Sequence, residues 1–164
     1  MKKKICMLGT FAVGKTSLVR RYVQGIFSDK YLTTMGAKVD KKIVDFEGKS
    51  INLMLWDLNG EDRFQGLSMN YVRGTAGYLL VIDSTRRSSF EAAHLLQQKV
   101  EQELGPLPFI VVFNKTDLKT PWENQDREIR QLEESGWTIM YTSAKTGTGV
   151  EEVFETLTQM IMNA

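Results

Sequence analysis

The segment Gly9-Thr10-Phe11-Ala12-Val13-Gly14-Lys15-Thr16 constrains the fold of this chain more than any other stretch of its 164 residues. It matches the pattern G-x-x-x-x-G-K-[ST] at every fixed position, and it lies between the apolar run Ile5 to Leu8 and a helical stripe that begins at Leu18. Glycines in such a loop let backbone N–H groups turn inward around phosphate oxygens, and the helix start adds a positive partial charge. The context therefore predicts a phosphate-binding loop between a strand and a helix. The alternative is a chance glycine-rich turn with a stray lysine.

Three side chains at this predicted site carry charge or metal chemistry. Lys15 can reach the β- and γ-phosphates as a point charge, and the Thr16 hydroxyl is placed to ligate Mg²⁺. Asp57 ends the apolar run 53–56, and a carboxylate that leaves a buried strand near the phosphate loop suits Mg²⁺, directly or through water. A strand-end aspartate alone is usually a turn former, so this assignment depends on the loop.

Apolar runs alternate with helical patterns along the rest of the chain. The runs predict strands over residues 5–8, 39–46, 51–56, 78–82, 109–113 and 137–141. The helical patterns predict helices from residue 18, over 90–104, over 126–134 and over 150–161, and residues 47–50 predict a hairpin turn. This order and a hydrophobic fraction of 42% predict one domain over residues 1–164, a mainly parallel sheet with helices on both faces.

Two later segments follow predicted strands, where an open parallel sheet binds its ligands. They are Asn114-Lys115-Thr116-Asp117 and Ser143-Ala144-Lys145. Together with Asp57-Leu58-Asn59-Gly60 they resemble the N-K-x-D, S-A-K and D-x-x-G elements of the Ras-like small GTPases, of the Rab-like kind, in an order and spacing that fit essentially the whole chain. The resemblance implies the three-layer G-domain fold of P-loop NTPases, in which one strand of a mainly parallel six-stranded sheet runs antiparallel.

The resemblance implies a switch that binds GTP or GDP with Mg²⁺ and hydrolyses GTP. Guanine carries adjacent donors at N1 and N2, and the Asp117 carboxylate can accept from both. Adenine lacks that pair, which argues against an ATPase. In the family pattern Asn114 supports the site, Lys115 packs along the base and the Ala144 N–H meets guanine O6.

The resemblance assigns roles to single positions of this sequence. Nucleotide contacts are implied for Phe11, Ala12, Val13, Gly14, Lys15, Thr16, Ser17, Phe27, Thr34, Gly60, Asn114, Lys115, Asp117, Leu118, Ser143, Ala144 and Lys145. Mg²⁺ ligands are implied for Thr16, Thr34 and Asp57, and catalytic roles for Lys15, Thr34, Gly60 and Glu61.

Two segments resemble the switches of the family. By resemblance, Phe27 lies edge-on against guanine, with core packing as the alternative. Thr34, which has Thr33 beside it, ligates Mg²⁺ and senses the γ-phosphate, and Gly60 contacts the γ-phosphate through its N–H. Loss of the γ-phosphate removes both contacts, so we expect the segments to relax.

Partner proteins are expected at these switches. Trp56 and Tyr71 match two of three aromatic positions that Rab-type proteins display, and the third position holds Val39. Exposed aromatic rings there would suit effectors, exchange factors and activating proteins. For Trp56, packing beneath the second switch is the alternative.

Two departures from the family pattern bear on hydrolysis. Glu61 occupies the position of the glutamine that orients the attacking water, and its charge would lie near phosphate oxygens that gain charge in the reaction. The alternative is a solvated residue with no catalytic part. Phe11 stands where the family carries a small residue, and its ring should crowd the γ-phosphate and an arginine finger. We therefore expect slow hydrolysis, and the runner-up function is a pseudo-GTPase interaction module that holds nucleotide permanently.

Charge and cysteine content limit the binding partners and the cellular compartment that the sequence suggests. The 21 Lys and Arg nearly balance 20 Asp and Glu, which gives no sign of a nucleic-acid or membrane partner. Cys6, the single cysteine, cannot form an internal disulfide and is expected to be buried. No apolar stretch has membrane-spanning length and the end of the sequence has no cysteine to prenylate, so we expect a soluble protein. The single cysteine suits a reducing cytosol, and we expect a cytoplasmic monomer. Arg86 and Arg87 are predicted to be a solvent-facing pair at a helix start.

Overall fold

The computed structural model describes residues 1–28, 36–58 and 69–164. Its strands are β1 (Lys2–Leu8), β2 (Ala37–Phe46), β3 (Lys49–Leu58), β4 (Gly77–Asp83), β5 (Phe109–Asn114) and β6 (Ile139–Tyr141). Its helices are α1 (Lys15–Gln24), α2 (Met69–Val72), α3 (Arg87–Leu104), α4 (Gln125–Glu134) and α5 (Val150–Met162). Strands and helices alternate along the chain largely as the sequence predicts.

The strands form one six-stranded sheet in the order β2-β3-β1-β4-β5-β6. β1 pairs in parallel with β3 and β4, β4 with β5, and β5 with β6, whereas β2 runs antiparallel to β3. The predicted fold class is confirmed, including its one antiparallel strand. Because the parallel strands share a direction, the loops after β1, β3, β4, β5 and β6 all open at the same edge of the sheet.

Alternate residues of β1 build two separate cores, one on each face of the sheet. Ile5 and Met7 pack with α1 and α5, whereas Cys6 and Leu8 pack with α3 and α4. β4 is buried along its whole length, as a strand covered on both faces must be. Cys6 is fully buried, as predicted, and burial raises the pKa of its thiol. The helices therefore make the outer layers of a three-layer domain.

Several predicted strand boundaries are wrong by two or three residues; β1, for example, begins at Lys2 rather than at Ile5. β6 begins at Ile139 rather than at Trp137, whose ring instead packs edge-on against Phe109 with 5.3 Å between ring centroids. The hairpin between β2 and β3 is a two-residue turn, Glu47-Gly48, with φ of 50° and 80°. Two consecutive left-handed residues match the twist of the flanking strands, so the turn needs no further residues.

Helix boundaries also depart from the prediction. α3 begins at Arg87, three residues before the predicted start at residue 90, and α2 lies where no element is predicted. Among the described residues, no helix combines the length and the apolar character that crossing a bilayer requires.

Candidate functional site

Polar residues gather where the strands end. The loop of residues 9–14 joins β1 to α1, Asp57 is the penultimate residue of β3, and Asp83 and Asn114 end β4 and β5. Residues 143–145 follow β6 closely. The fold therefore brings the segments singled out in the sequence to one edge of the sheet.

Every carbonyl oxygen from Gly9 to Val13 accepts a hydrogen bond from a side chain. The pairs are Lys15 Nζ with Gly9 (2.9 Å) and Thr10 (3.1 Å), Arg86 Nη2 with Phe11, Lys115 Nζ with Ala12 (2.6 Å), and Asn114 Nδ2 with Val13 (3.0 Å). The Gly14 carbonyl accepts from the Leu18 N–H, the first bond of α1, at 2.9 Å. In a trans peptide the N–H points opposite to the C=O, so side chains that hold the carbonyls also fix where the loop amides point.

The loop adopts backbone conformations that concentrate N–H groups. Ala12 and Gly14 have φ of 66° and 103°. Alternation of right- and left-handed residues makes a concave anion-binding nest. Gly14 is the N-cap of α1 and provides no side-chain cap, so the amides of the first helical turn remain available to a ligand.

Lys15 is a buried cation at the centre of this loop. Its residue is only 6% exposed. Burial lowers the pKa of its ammonium to about 8, a shift that nearby Asp57 opposes and the like charge of Arg86 reinforces. A buried lysine with a lowered pKa favours an anionic ligand, because a phosphate would add counter-charge where that of Asp57 does not outweigh burial.

The Thr16 hydroxyl donates a hydrogen bond to Oδ2 of Asp57. Helix α1 and strand β3 thus place two hard oxygen ligands against each other, and Asp57 is 1% exposed. Among residues 1–28, 36–58 and 69–164 no cluster of three His, Cys, Asp or Glu could hold a metal. Mg²⁺ is commonly held by one or two carboxylates together with phosphates of the substrate, so this pair fits that ion.

Asn114 ties three segments of the site together. Its Nδ2 donates to the Val13 carbonyl of the phosphate loop. Its Oδ1 accepts from the Thr142 hydroxyl at 2.9 Å and from the Ala144 N–H at 3.4 Å. The amide group is 1% exposed with both ends partnered, so the phosphate loop and the segment after β6 are held in fixed relation.

Lys115 forms a second link to the phosphate loop. Its Nζ donates to the Ala12 carbonyl and lies 3.0 Å from Oδ2 of Asp83. Burial alone would raise the pKa of Asp83, but hydrogen bonds from Thr85 and Lys115 outweigh it and hold that pKa below its usual value. Lys115 itself has a left-handed φ of 65°, a strained backbone that the ion pair and the hydrogen bond stabilise.

Asp117 and Ser143 connect the loops after β5 and β6. The Ser143 hydroxyl donates to Oδ1 of Asp117 at 2.8 Å and accepts from the Thr146 N–H at 3.1 Å. Arg21 of α1 holds the second loop from outside, donating to the carbonyls of Ala144 (2.8 Å) and Lys145. The Asp117 carboxylate is therefore positioned through Oδ1, and no hydrogen bond to its Oδ2 is found in the described part of the chain.

Other predicted contact residues lie around this centre. Phe27 is half-buried and packs against the core that includes α1 and α5, while Ser17 is half-buried in the first turn of α1. Leu118 and Lys145 are exposed, and Phe11 is 36% exposed. Three predicted residues, Thr34, Gly60 and Glu61, lie outside the described residues.

The predicted partner surface is partly exposed. Val39 and Tyr71 are exposed, whereas Trp56 is half-buried and packs against the core with α3 and α4. Val39 pairs with Trp56 across β2 and β3. Lys4 Nζ lies 3.9 Å from the Trp56 ring centroid, and the Tyr71 ring centroid lies 6.5 Å from that of Trp56. Trp56 thus combines core packing with a place beside exposed apolar residues.

Three residues that shape the site are not predicted by the sequence. Asp83 ends a buried strand as Asp57 does, so the same strand-end reasoning would have found it. Arg21 gives no sequence signal beyond its place in a helix. The prediction of a solvent-facing arginine pair is right for Arg87 and wrong for Arg86, which is half-buried and reaches the phosphate loop.

Comparison with known proteins identifies relatives. The sequence model of the Ras family matches residues 4–163. The chain is 36% identical over 166 residues to Ras-related protein Rab-4 of Dictyostelium discoideum, covering 97% of this chain and 78% of that protein. It is 38% identical over 164 residues to Ras-related protein Rab-21 of the same organism, covering 98% and 77%. With Ras-related protein Rab-21 of Geodia cydonium it shares 36% identity over 166 residues, covering 100% and 72%.

Proposed function

Because the chain belongs to the Ras family and is a Rab-like small GTPase, we propose that it is a guanine-nucleotide switch that uses Mg²⁺ and hydrolyses GTP slowly. Membership of the family establishes that the chain is a GTP-binding molecular switch of a GTPase family. The use of Mg²⁺ and the slow hydrolysis are proposed for residues 1–164 acting as one domain. The main support for the proposal is the phosphate loop, whose carbonyls from Gly9 to Val13 are all held by side chains.

The phosphate loop binds the polyphosphate in this proposal. Loop amides and the first turn of α1 contact phosphate oxygens, and Lys15 neutralises charge on the β- and γ-phosphates. Thr16 and Asp57 would hold Mg²⁺, which would supply positive charge to neutralise the charge that develops on the phosphates. Thr34 completes the metal ligands, and the Gly60 N–H contacts the γ-phosphate. When the γ-phosphate leaves, the last two contacts disappear and the switch changes conformation.

Asp117 selects guanine. Ser143 orients its carboxylate, which accepts from N1 and N2 of the base, and Asn114, Lys115 and Ala144 complete the base site. The test is Asp117→Asn, which replaces an acceptor by a donor. Xanthine carries an oxygen where guanine carries N2. The affinity of this variant for GDP should therefore fall, and its affinity for xanthosine diphosphate should rise, by at least about tenfold each.

A matched control for that test is Asp126→Asn on α4, an exposed residue with the same change of charge. It should leave both affinities unchanged. An Asp117→Asn variant that keeps the affinity of the wild type for GDP would contradict the base contact.

Hydrolysis is slow because two positions oppose it. In this proposal the Phe11 ring, which is 36% exposed, crowds the γ-phosphate, and Glu61 brings negative charge where charge develops. Unassisted rates in this class are already on the order of 10⁻⁴ s⁻¹. Single-turnover assays of wild type, Glu61→Gln and Phe11→Gly should show faster hydrolysis in each variant. Brisk hydrolysis by wild type together with slower variants would refute this part of the proposal.

A pseudo-GTPase module is the second candidate, favoured by the same Phe11 and Glu61. Such a protein would bind partners without regard to the γ-phosphate. Hydrogen exchange of residues 29–35 and 59–68, with GDP and then with a non-hydrolysable GTP analogue, separates the two. A difference in protection supports the switch, and identical protection in both states supports the module.

Partner binding follows from the switch. We place effectors, exchange factors and activating proteins at the surface around Trp56 and Tyr71, with Val39 beside them. The protein acts as a cytoplasmic monomer between these partners. Val39→Asp, at an exposed position, should weaken effector binding without changing nucleotide affinity.

A further inference from the structure

Two adjacent arginines at the start of α3 have different environments. Arg87 is bound by carboxylates, pairing with Glu91 and, at 2.7 Å, with Glu128. Arg86 forms no salt bridge within the described residues. Its Nη2 instead donates to the Phe11 carbonyl and, at 3.2 Å, to the Thr10 hydroxyl. One arginine therefore fastens α3 to α4, and the other fastens α3 to the phosphate loop.

We propose that Arg86 is a positioning residue of the nucleotide site, which holds the Thr10–Phe11 segment so that the phosphate loop keeps the shape that binds a polyphosphate. The proposal rests on the proposed function. Lys15 and Lys115 hold the carbonyls on either side of Phe11, and Arg86 holds the Phe11 carbonyl between them. Loss of this bond removes one restraint on the peptide between Phe11 and Ala12, so the N–H of Ala12 is held less firmly in its direction.

The environment of Arg86 argues for a role at this loop rather than for general packing. Its Nε is buried and has no hydrogen-bond partner among the described residues, which costs free energy. Its charge also adds to those of Lys15 and Lys115, and the two nearby carboxylates, Asp57 and Asp83, offset these three cations only in part. An excess of cations around inward-facing amides is complementary to a bound polyphosphate. Binding of the polyphosphate would offset the repulsion between the cations and the cost of the unpartnered Nε.

The guanidinium suits this position better than an ammonium. Its rigid, planar shape holds Nη2 against both acceptors, the Phe11 carbonyl and the Thr10 hydroxyl. Lysine at this position would keep the charge but present a single mobile ammonium on a shorter stem. Arg86→Lys should therefore restore only part of what Arg86→Ala removes.

The test compares Arg86→Ala with Arg87→Ala, which removes a neighbouring arginine that does not touch the loop. GDP dissociation is followed with a fluorescent GDP in the presence of Mg²⁺, and equilibrium competition gives the affinities for GDP and GMP. Arg86→Ala should release GDP about tenfold faster and lower the ratio of GDP to GMP affinity by a similar factor. Arg87→Ala should remain within about twofold of wild type on both measures.

The outcomes separate this proposal from the function it rests on. Wild type that binds no guanine nucleotide refutes the proposed function itself. If wild type binds GDP and Arg86→Ala releases it no faster, Arg86 has no positioning role. Equal losses of GDP and GMP affinity, or equal acceleration in Arg87→Ala, also refute the role, since they indicate general destabilisation. If Arg86→Ala does not fold, Arg86→Lys is measured in its place. A lower ratio of GDP to GMP affinity than in wild type then supports the role, and an unchanged ratio refutes it.

Discussion

Substitution of Lys15 by methionine tests whether the phosphate loop holds a cation that needs an anionic ligand. Burial lowers the pKa of Lys15 from 10.5 to about 8. The folded protein therefore binds this proton less tightly than the unfolded chain. Between pH 8 and 10.5 the unfolded chain holds the proton and the folded protein does not, so this term makes stability rise with pH. Below pH 8 Lys15 is protonated in both states, so the folded protein bears the full free-energy cost of burying its charge.

The size of the effect follows from that shift. At pH 7 the charged Lys15 costs about 3 kcal/mol in the nucleotide-free protein, and at pH 9.5 about 1.4 kcal/mol remains. The free energy of unfolding of wild type, relative to Lys15→Met, should therefore rise by about 2 kcal/mol between these pH values. Loss of the hydrogen bonds to Gly9 and Thr10 changes both measurements equally, so it does not affect this difference.

The assay is urea denaturation of both proteins, stripped of nucleotide and Mg²⁺, at pH 7 and pH 9.5. Lys49→Met, at an exposed lysine, is the control and should show no such difference. With saturating GDP and Mg²⁺ the phosphate supplies the counter-charge, so the pH-dependent difference between wild type and Lys15→Met should disappear. A difference that stays constant within about 0.5 kcal/mol in the stripped proteins would refute the reasoning.

Two further predictions concern the loop and the core. A Cβ at Gly14, where φ is 103°, would lie 2.2 Å from Nδ2 of Asn114, so Gly14→Ala should weaken GDP binding about tenfold or more in a titration. Gly74→Ala, where φ is 80° and no atom lies within 4 Å of the added Cβ, is the control, and equal affinities for the two variants would contradict the clash. The Phe154 ring stacks on Tyr22 with 4.0 Å between centroids and is buried, so Phe154→Ala should lower the free energy of unfolding by about 3–5 kcal/mol in urea. A loss below about 1 kcal/mol would mean that this stack contributes little to joining α1 and α5.

The sequence predicts the architecture because apolar runs and strand-end motifs are local signals. The fully buried strand β4 and the loop before Lys15 can both be predicted from a few adjacent residues. The start of β6 is less readable, since Trp137 packs against Phe109, a residue distant in the sequence. Long-range contacts of this kind depend on the assembled fold.

The same limit applies to the site. Asp57 and Asn114 stand at strand ends in recognisable motifs, so their positions at the sheet edge follow from the sequence. The position of Arg86 does not follow from the sequence, because an arginine beside another arginine at a helix start normally faces water. Only the path of the phosphate loop, distant in the sequence, gives its guanidinium two acceptors.

The most direct measurement is an equilibrium titration of the nucleotide-free protein with GDP and with ADP in the presence of Mg²⁺. The loop around Lys15 should bind the diphosphate, and Asp117 should distinguish the bases, so GDP should bind at least about a hundredfold more tightly than ADP. Absence of GDP binding, or equal affinity for the two nucleotides, would contradict a guanine-nucleotide site at this edge of the sheet.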